Sequence, residues 1–255
     1  MNSLTQIING TIAALEDMKR SGVTHVDVSR ETLEGLSKAP VVVGAPTLSP
    51  GRLEGSAPAE PSSQGKASPD LAPIEARAKV CVKCRELSRC RHNVVFGVGD
   101  PHTELMFIGE APGRDEDLEG EPFVGRAGAL LTKIIQAMGF KRHEVYIANV
   151  LKCRPPENRT PLPDEVANCL PYLLTQIELI KPKVIVVLGA TAMKALLDVQ
   201  LGITKMRGNW YNFRDTPIMP TFHPAYLLRN PAAKKEVWQD MQTVLAKLGR
   251  EVPKR

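Results

Sequence analysis

Apolar and polar positions follow two different rhythms along this chain, and the change of rhythm divides it into three parts. Between residues 4 and 18, Leu4, Ile7, Ile8, Ile12, Leu15 and Met18 recur at three- and four-residue spacing, which predicts the apolar face of a short amphipathic helix. Over 39–75 the pattern gives way to Pro, Gly, Ser and Ala, a composition that buries too little apolar surface to offset its ordering entropy. A flexible linker is expected there, joining an N-terminal helical arm (1–38) to a domain over 76–250. In that domain four short apolar runs, at Leu105–Gly109, 145–149, 184–189 and 217–222, alternate with segments of helical period: GRAGALLTKIIQAMG, PDEVANCLPYLLTQIELIKP, TAMKALLD and 234–248. The first three runs are continuous rather than alternating, as in strands covered on both faces. The pattern predicts an α/β fold, a three-layer α/β/α sandwich around a central four-stranded, mostly parallel sheet.

Composition narrows the class. With 255 residues, 43% hydrophobic and 24% charged, the chain fits one globular domain with appendages and excludes collagen and coiled coil. No apolar run reaches the roughly 18 residues of a bilayer span, and the first twenty residues lack the basic-then-apolar order of a secretion signal. A cytosolic location without a membrane partner is expected. The net charge of +5 is uneven: residues 1–75 carry −3 and the remainder +8, a basic body suited to a polyanion. Five cysteines in a reducing compartment favour metal or catalytic use over disulfides.

Ligands of a parallel sheet bind beyond the carboxyl ends of its strands. The first run ends in Gly109-Glu110-Ala111, the second in Asn149, and the last leads into His223. Singly, Glu110 could cap a helix, Asn149 satisfy loop backbone and His223 occupy a turn; their arrival on one edge marks a site. His25, His92, His102 and His143 have no such setting. The loop after the first run lacks GxGxxG and GK[ST], and its six carboxylates between Glu110 and Glu121 would repel a nucleotide phosphate. Phe123 in that polar loop is either a core-anchored lid or a stacking platform for a planar ligand.

Cys81 and Cys84 form CxxC, and Cys153 and Cys169 have fifteen residues between them. Two sequence-distant thiol pairs suit zinc or an iron–sulfur cluster, and spacing leaves both open. Cys90 is a fifth, free thiol. Residues 152–159, with Lys152, Arg154 and Arg159, form a proline-stiffened basic loop suited to a polyanion. In 223–229, Tyr226, Leu227 and Leu228 beside Arg229 read either as core or as a wedge that fills the gap left by an extruded base.

Together GEAPGRDED, EPFVGRAG, IANVLKCRPPENR and TFHPAYLLR resemble the family 4 uracil-DNA glycosylases, the iron–sulfur branch of that superfamily, from about residue 76 to 248. The resemblance implies a [4Fe–4S] cluster on Cys81, Cys84, Cys153 and Cys169, uracil-containing DNA as partner, and hydrolysis of the N-glycosidic bond to free uracil and an abasic site. It implies that Phe123 stacks on the flipped base, Asn149 reads its edge, Glu116 rejects the methyl of thymine, and His223 stabilises the departing anion. Ala111 stands where the best-known branch has Asp, leaving Glu110 or Asn158 to orient the water. Arg154, Arg159, Leu227 and Arg229 are the expected DNA contacts. No KRRIH-type insertion follows Arg159, so hydrolysis is expected rather than covalent trapping. A monomer is expected, with the arm free to recruit a protein partner.

Two other classes compete. One is a metal-dependent nuclease holding Mg²⁺ on Glu110, Asp115, Glu116 and Asp117. The other is a non-catalytic DNA-binding module with a structural cysteine site.

Overall fold

A computed structural model describes residues 70–253. The expected amphipathic helix, the rest of the arm and nearly all of the linker lie outside the described residues. Helix α1 (Ala72–Lys79) begins ahead of residue 76, inside the stretch read as linker, because Asp70 Oδ1 accepts the Ala72 N–H at 3.1 Å and a proline opens the first turn. Helix α2 (Arg85–Cys90) follows the CxxC.

The sheet has six strands in the order β1-β3-β2-β4-β6-β5. The four central ones, β2 (Leu105–Gly109), β3 (Tyr146–Asn149), β4 (Val184–Leu188) and β6 (Thr216–Thr221), pair in parallel and coincide with the four apolar runs. The expected strand count of four is therefore corrected to six. The additions are β1 (Val98–Gly99) and β5 (Tyr211–Phe213), antiparallel edge strands of two and three residues, too short to leave a period in the sequence.

Strand geometry explains why β2 and β4 are apolar without a break. Successive side chains point to opposite faces, and both faces are covered. Leu105 and Phe107 of β2, with Val184, Val186 and Leu188 of β4, enter one core with Leu131 and Ile135 of α4 (Arg126–Ala137) and Val237, Met241, Val244 and Leu245 of α9 (Lys234–Lys247). Met106, Ile108, Ile185 and Val187 enter the other, against Leu173, Ile177 and Ile180 of α5 (Pro163–Ile180) and Ala192, Met193 and Leu196 of α6 (Ala190–Leu197). This is the expected three-layer sandwich. Short helices α3 (Arg114–Glu119), α7 (Ile203–Met206) and α8 (Pro224–Arg229) complete the body. Among the described residues no helix is long and apolar enough to cross a membrane.

Candidate active site

Parallel strands deliver their following residues to one edge, and a cavity of about 520 Å³ opens there. Glu110 follows β2, Asn149 ends β3, and His223 lies two residues past β6; all three line it, with Ala111, Glu116, Phe123, Asn158, Arg159, Tyr226 and Arg229. Three groups read separately from the ends of three strands thus share one pocket.

The floor is built by close approach. A Cβ on Gly109 would lie 2.5 Å from the Phe123 ring, so only glycine lets the strand end meet both Phe123 and Asn149. Phe123 is buried with φ +56°, a left-handed conformation that a bulky residue holds only where its surroundings impose it. Those surroundings are identifiable. Glu116 accepts the N–H groups of Val124 (3.1 Å), Gly125 (3.1 Å) and Gly113 (3.0 Å), and Arg142 donates to the Pro122 carbonyl. From the other side a Cβ on Gly128 would lie 1.8 Å from the Phe123 carbonyl oxygen. The Phe123 ring faces His223 at 5.5 Å between centroids.

Asn149 is 2% exposed, and its Oδ1 is buried without a hydrogen-bond partner among the described residues. A buried acceptor left unmet costs about 1–3 kcal/mol, so it marks where a ligand's donor belongs. His223 is the N-cap of α8, where its Nδ1 accepts the Ala225 N–H at 3.1 Å. Burial, aided by the Arg229 charge, pushes its pKa down to about 4. The imidazole is therefore neutral at pH 7, and with Nδ1 accepting, its proton resides on Nε2.

Glu110 is half-buried, and its carboxylate has no hydrogen-bond or ion-pair partner among the described residues. Asn158, with φ +55°, is exposed, and its Oδ1 accepts from Arg154 Nε at 2.7 Å. Arg159 is engaged by Glu165 through both terminal nitrogens (2.9 and 2.7 Å) and by Glu86 of α2 at 2.8 Å, which raises its pKa further. Its charge is compensated at the pocket rim. Arg229 is exposed.

Two expectations from sequence are corrected. Leu227 is fully buried in the core, so it cannot contact DNA; α8 turns Tyr226 and Leu228 outward instead. Lys152 is 1% exposed and leaves the basic loop for the interior, where its Nζ donates to Asn149 O (2.9 Å) and Gln176 Oε1 (2.6 Å). Burial pushes its pKa down to about 7. Sequence reasoning also passed over His92, whose backbone N–H and Nδ1 meet the fully buried Asp117 carboxylate at 3.0 and 2.7 Å, fastening α3 to the segment after α2. It also missed Gln176. The signal was present: Gln176 follows Cys169 by seven residues, two helical turns along one face.

Four cysteines gather beside this site. Cys84, Cys153 and Cys169 share one apolar cluster, and Cys81 and Cys169 pack on another. Burial pushes the thiols of Cys84, Cys153 and Cys169 up, Cys169 to about 12, and the neighbouring cysteines of the set add to each shift. Arg91 Nη1 donates to Cys153 Sγ and the Lys152 N–H to Cys169 Sγ, both at 3.1 Å. Cys90 is exposed. Among the described residues no three His, Cys, Asp or Glu side chains converge to the spacing of a single bound metal ion.

The family described as the Uracil DNA glycosylase superfamily matches residues 96–242. A type-4 uracil-DNA glycosylase of Thermotoga maritima is 52% identical over 161 residues, covering 62% of this chain and 82% of the relative. Proteins of the same description from Archaeoglobus fulgidus and Sulfurisphaera tokodaii are 43% and 45% identical, each over 68% of this chain and 90% and 83% of their own.

Proposed function

This chain belongs to the uracil DNA glycosylase superfamily, and we propose from its own geometry how the pocket excises the base. The protein is a DNA-repair enzyme that removes uracil from DNA. A base inside a duplex is out of reach of any side chain, so uracil rotates out of the stack into the cavity, most easily from a U·G mismatch. Phe123 stacks on the extruded ring. Asn149 reads its edge: the unmet Oδ1 accepts from N3–H while the amide NH₂ donates to O4. Cytosine presents the inverse pattern and leaves buried polar groups unpaired, which is how one amide separates the two bases. The unpartnered Oδ1 is the observation that carries this reading. Glu116, held by three backbone N–H groups, forms a fixed wall that excludes the methyl of thymine.

Cleavage develops positive charge on the sugar and negative charge on uracil O2. A neutral His223 donating from Nε2 meets the growing anion without needing a proton from solvent. Of the two candidates for orienting the water, Glu110 has the free carboxylate, whereas Asn158 Oδ1 is engaged by Arg154. Arg154 and Arg229 supply cations for phosphates, and Tyr226 or Leu228 fills the vacated stack. Arg159 braces the rim.

A [4Fe–4S] cluster would be held by Cys81, Cys84, Cys153 and Cys169. The donor set fits: four thiols in two apolar clusters that share Cys169, with N–H donors on two of the sulfurs. The thiolates of a cluster bind different irons and so stand further apart than the ligands of one ion. Bound there, it would supply cross-links between the CxxC turn, the loop after β3 and α5.

The nuclease reading has less support, since Glu116 and Asp117 are committed to backbone N–H groups of their own loop and of residues 92–93. Incubation with a U·G duplex followed by alkali, beside T·G and U·A controls, tests the assignment. Free uracil and alkali-labile sites should form even in excess magnesium chelator. Strand cutting without alkali, abolished by chelator, would replace this reading with the nuclease.

A further inference from the structure

Asn149 needs a donor for its backbone carbonyl, and the sheet supplies none. The Val150 N–H bonds Gly109 on the β2 side, and β1 pairs only with Tyr146 and Ile147, ending before Asn149. Lys152 fills the place: its Nζ donates to Asn149 O at 2.9 Å. Helix α5 grips the same lysine at two points two turns apart. Cys169 Sγ accepts its N–H at 3.1 Å, and Gln176 Oε1 accepts from its Nζ at 2.6 Å. Gln176 Nε2 in turn donates to Phe96 O and Tyr146 Oη, both at 3.0 Å, and Tyr146 belongs to β3 itself.

All polar atoms of the Gln176 side chain are thus satisfied in a network buried from solvent, while Asn149 Oδ1 beside it is not. A lysine this deeply buried is a costly way to fill space, and an apolar side chain would pack there with less desolvation. Its geometry gives it a different use. We propose that Lys152 is a positioning residue for uracil recognition, linking the cysteine centre to the backbone of the base-reading Asn149 and so holding Oδ1 open for the base. Cys153 is its immediate neighbour and Cys169 its backbone partner, so a shift of those thiols moves the peptide that fixes Asn149.

The inference rests on the uracil-excision reading and is tested within it. Lys152→Met keeps the length of the side chain and removes its donors. Uracil-over-cytosine selectivity and affinity for free uracil should each fall on the order of 10–100-fold, with affinity for an undamaged duplex and the visible absorbance of the cysteine centre unchanged. Gln176→Leu, which takes away the other end of the clamp, should shift both in the same direction and serves where Lys152→Met does not fold. In an Asn149→Ala background Lys152→Met should add nothing, because no amide remains to be positioned. Equal losses in both backgrounds would mean a merely structural lysine and overturn the proposal. So would unchanged selectivity in both single variants, or loss of the visible absorbance in both. Wild-type protein that frees no uracil would instead bring down the excision reading on which the proposal stands.

Discussion

A Cβ placed on Gly109 would lie 2.4 Å from Asn149 Oδ1, so the end of β2 and the Asn149 amide touch with no room for a side chain. Gly109→Ala must therefore displace either Asn149 or the Phe123 ring. A misplacement of about 1 Å costs on the order of a hundredfold in rate, and that is the expected loss in kcat/KM for uracil release from a U·G duplex. Near-wild-type kinetics would mean that the floor of the pocket is softer than its packing.

Replacing the amide of Asn149 by a carboxyl group changes the pattern it reads. Asn149→Asp offers an acid whose protonated form donates where the amide oxygen accepted, a pattern that suits cytosine. The expected outcome is a fall in the uracil-to-cytosine release ratio, measured on matched single-lesion duplexes. An unaltered ratio would remove Asn149 from the recognition role. Phe123→Ala, by contrast, should weaken capture of either base by about 1–3 kcal/mol without changing their ratio.

The pH dependence follows from His223. Its folded pKa of about 4 lies below its ordinary 6.5, because burial and the Arg229 charge both disfavour the imidazolium. Excision should hold across the ordinary histidine range and lose its donor geometry only near pH 4. Arg229→Gln removes the cation, raises the His223 pKa, and should move the acid limb to higher pH. Stability has the same origin. The neutral folded form is favoured fully above 6.5, and that contribution is lost as pH falls from 6.5 towards 4, where the unfolded chain takes up the proton first. His223→Ala should lower kcat by about 10²–10³ and abolish this limb in the rate profile.

Cysteine substitutions separate the four packed thiols from the fifth. If the proposed cluster is bound, Cys153→Ala and Cys169→Ala should each abolish its visible absorbance and lower the melting temperature, since each sulfur also holds a hydrogen bond from Arg91 or Lys152. Cys90→Ser, at an exposed position, should leave both unchanged. Equal effects at all three would mean that no specific set of four exists.

The sequence announces the central strands because each must be apolar on both faces, and it announces Glu110, Asn149 and His223 because parallel topology brings strand ends together. What it conceals depends on contacts between distant segments. Nothing local to Arg159 says that Glu86, 73 residues away, shares its charge with Glu165. Nor does the basic run around Lys152 reveal that this one lysine turns inward to Gln176, 24 positions on. Leu227 was ambiguous for a related reason: three apolar residues in a row on a short helix cannot all be buried, and only packing decides which is. Edge strands β1 and β5 are held by pairing with β3 and β6, not by a period of their own.

The unmet oxygen of Asn149 reaches beyond DNA. A resting pocket that already hides an unsatisfied acceptor under an aromatic floor is relieved by any flat ring carrying an imide hydrogen, with or without a sugar attached. Small cyclic imides should therefore bind the enzyme without DNA, and the liberated nucleobase, being one of them, should compete with the next lesion.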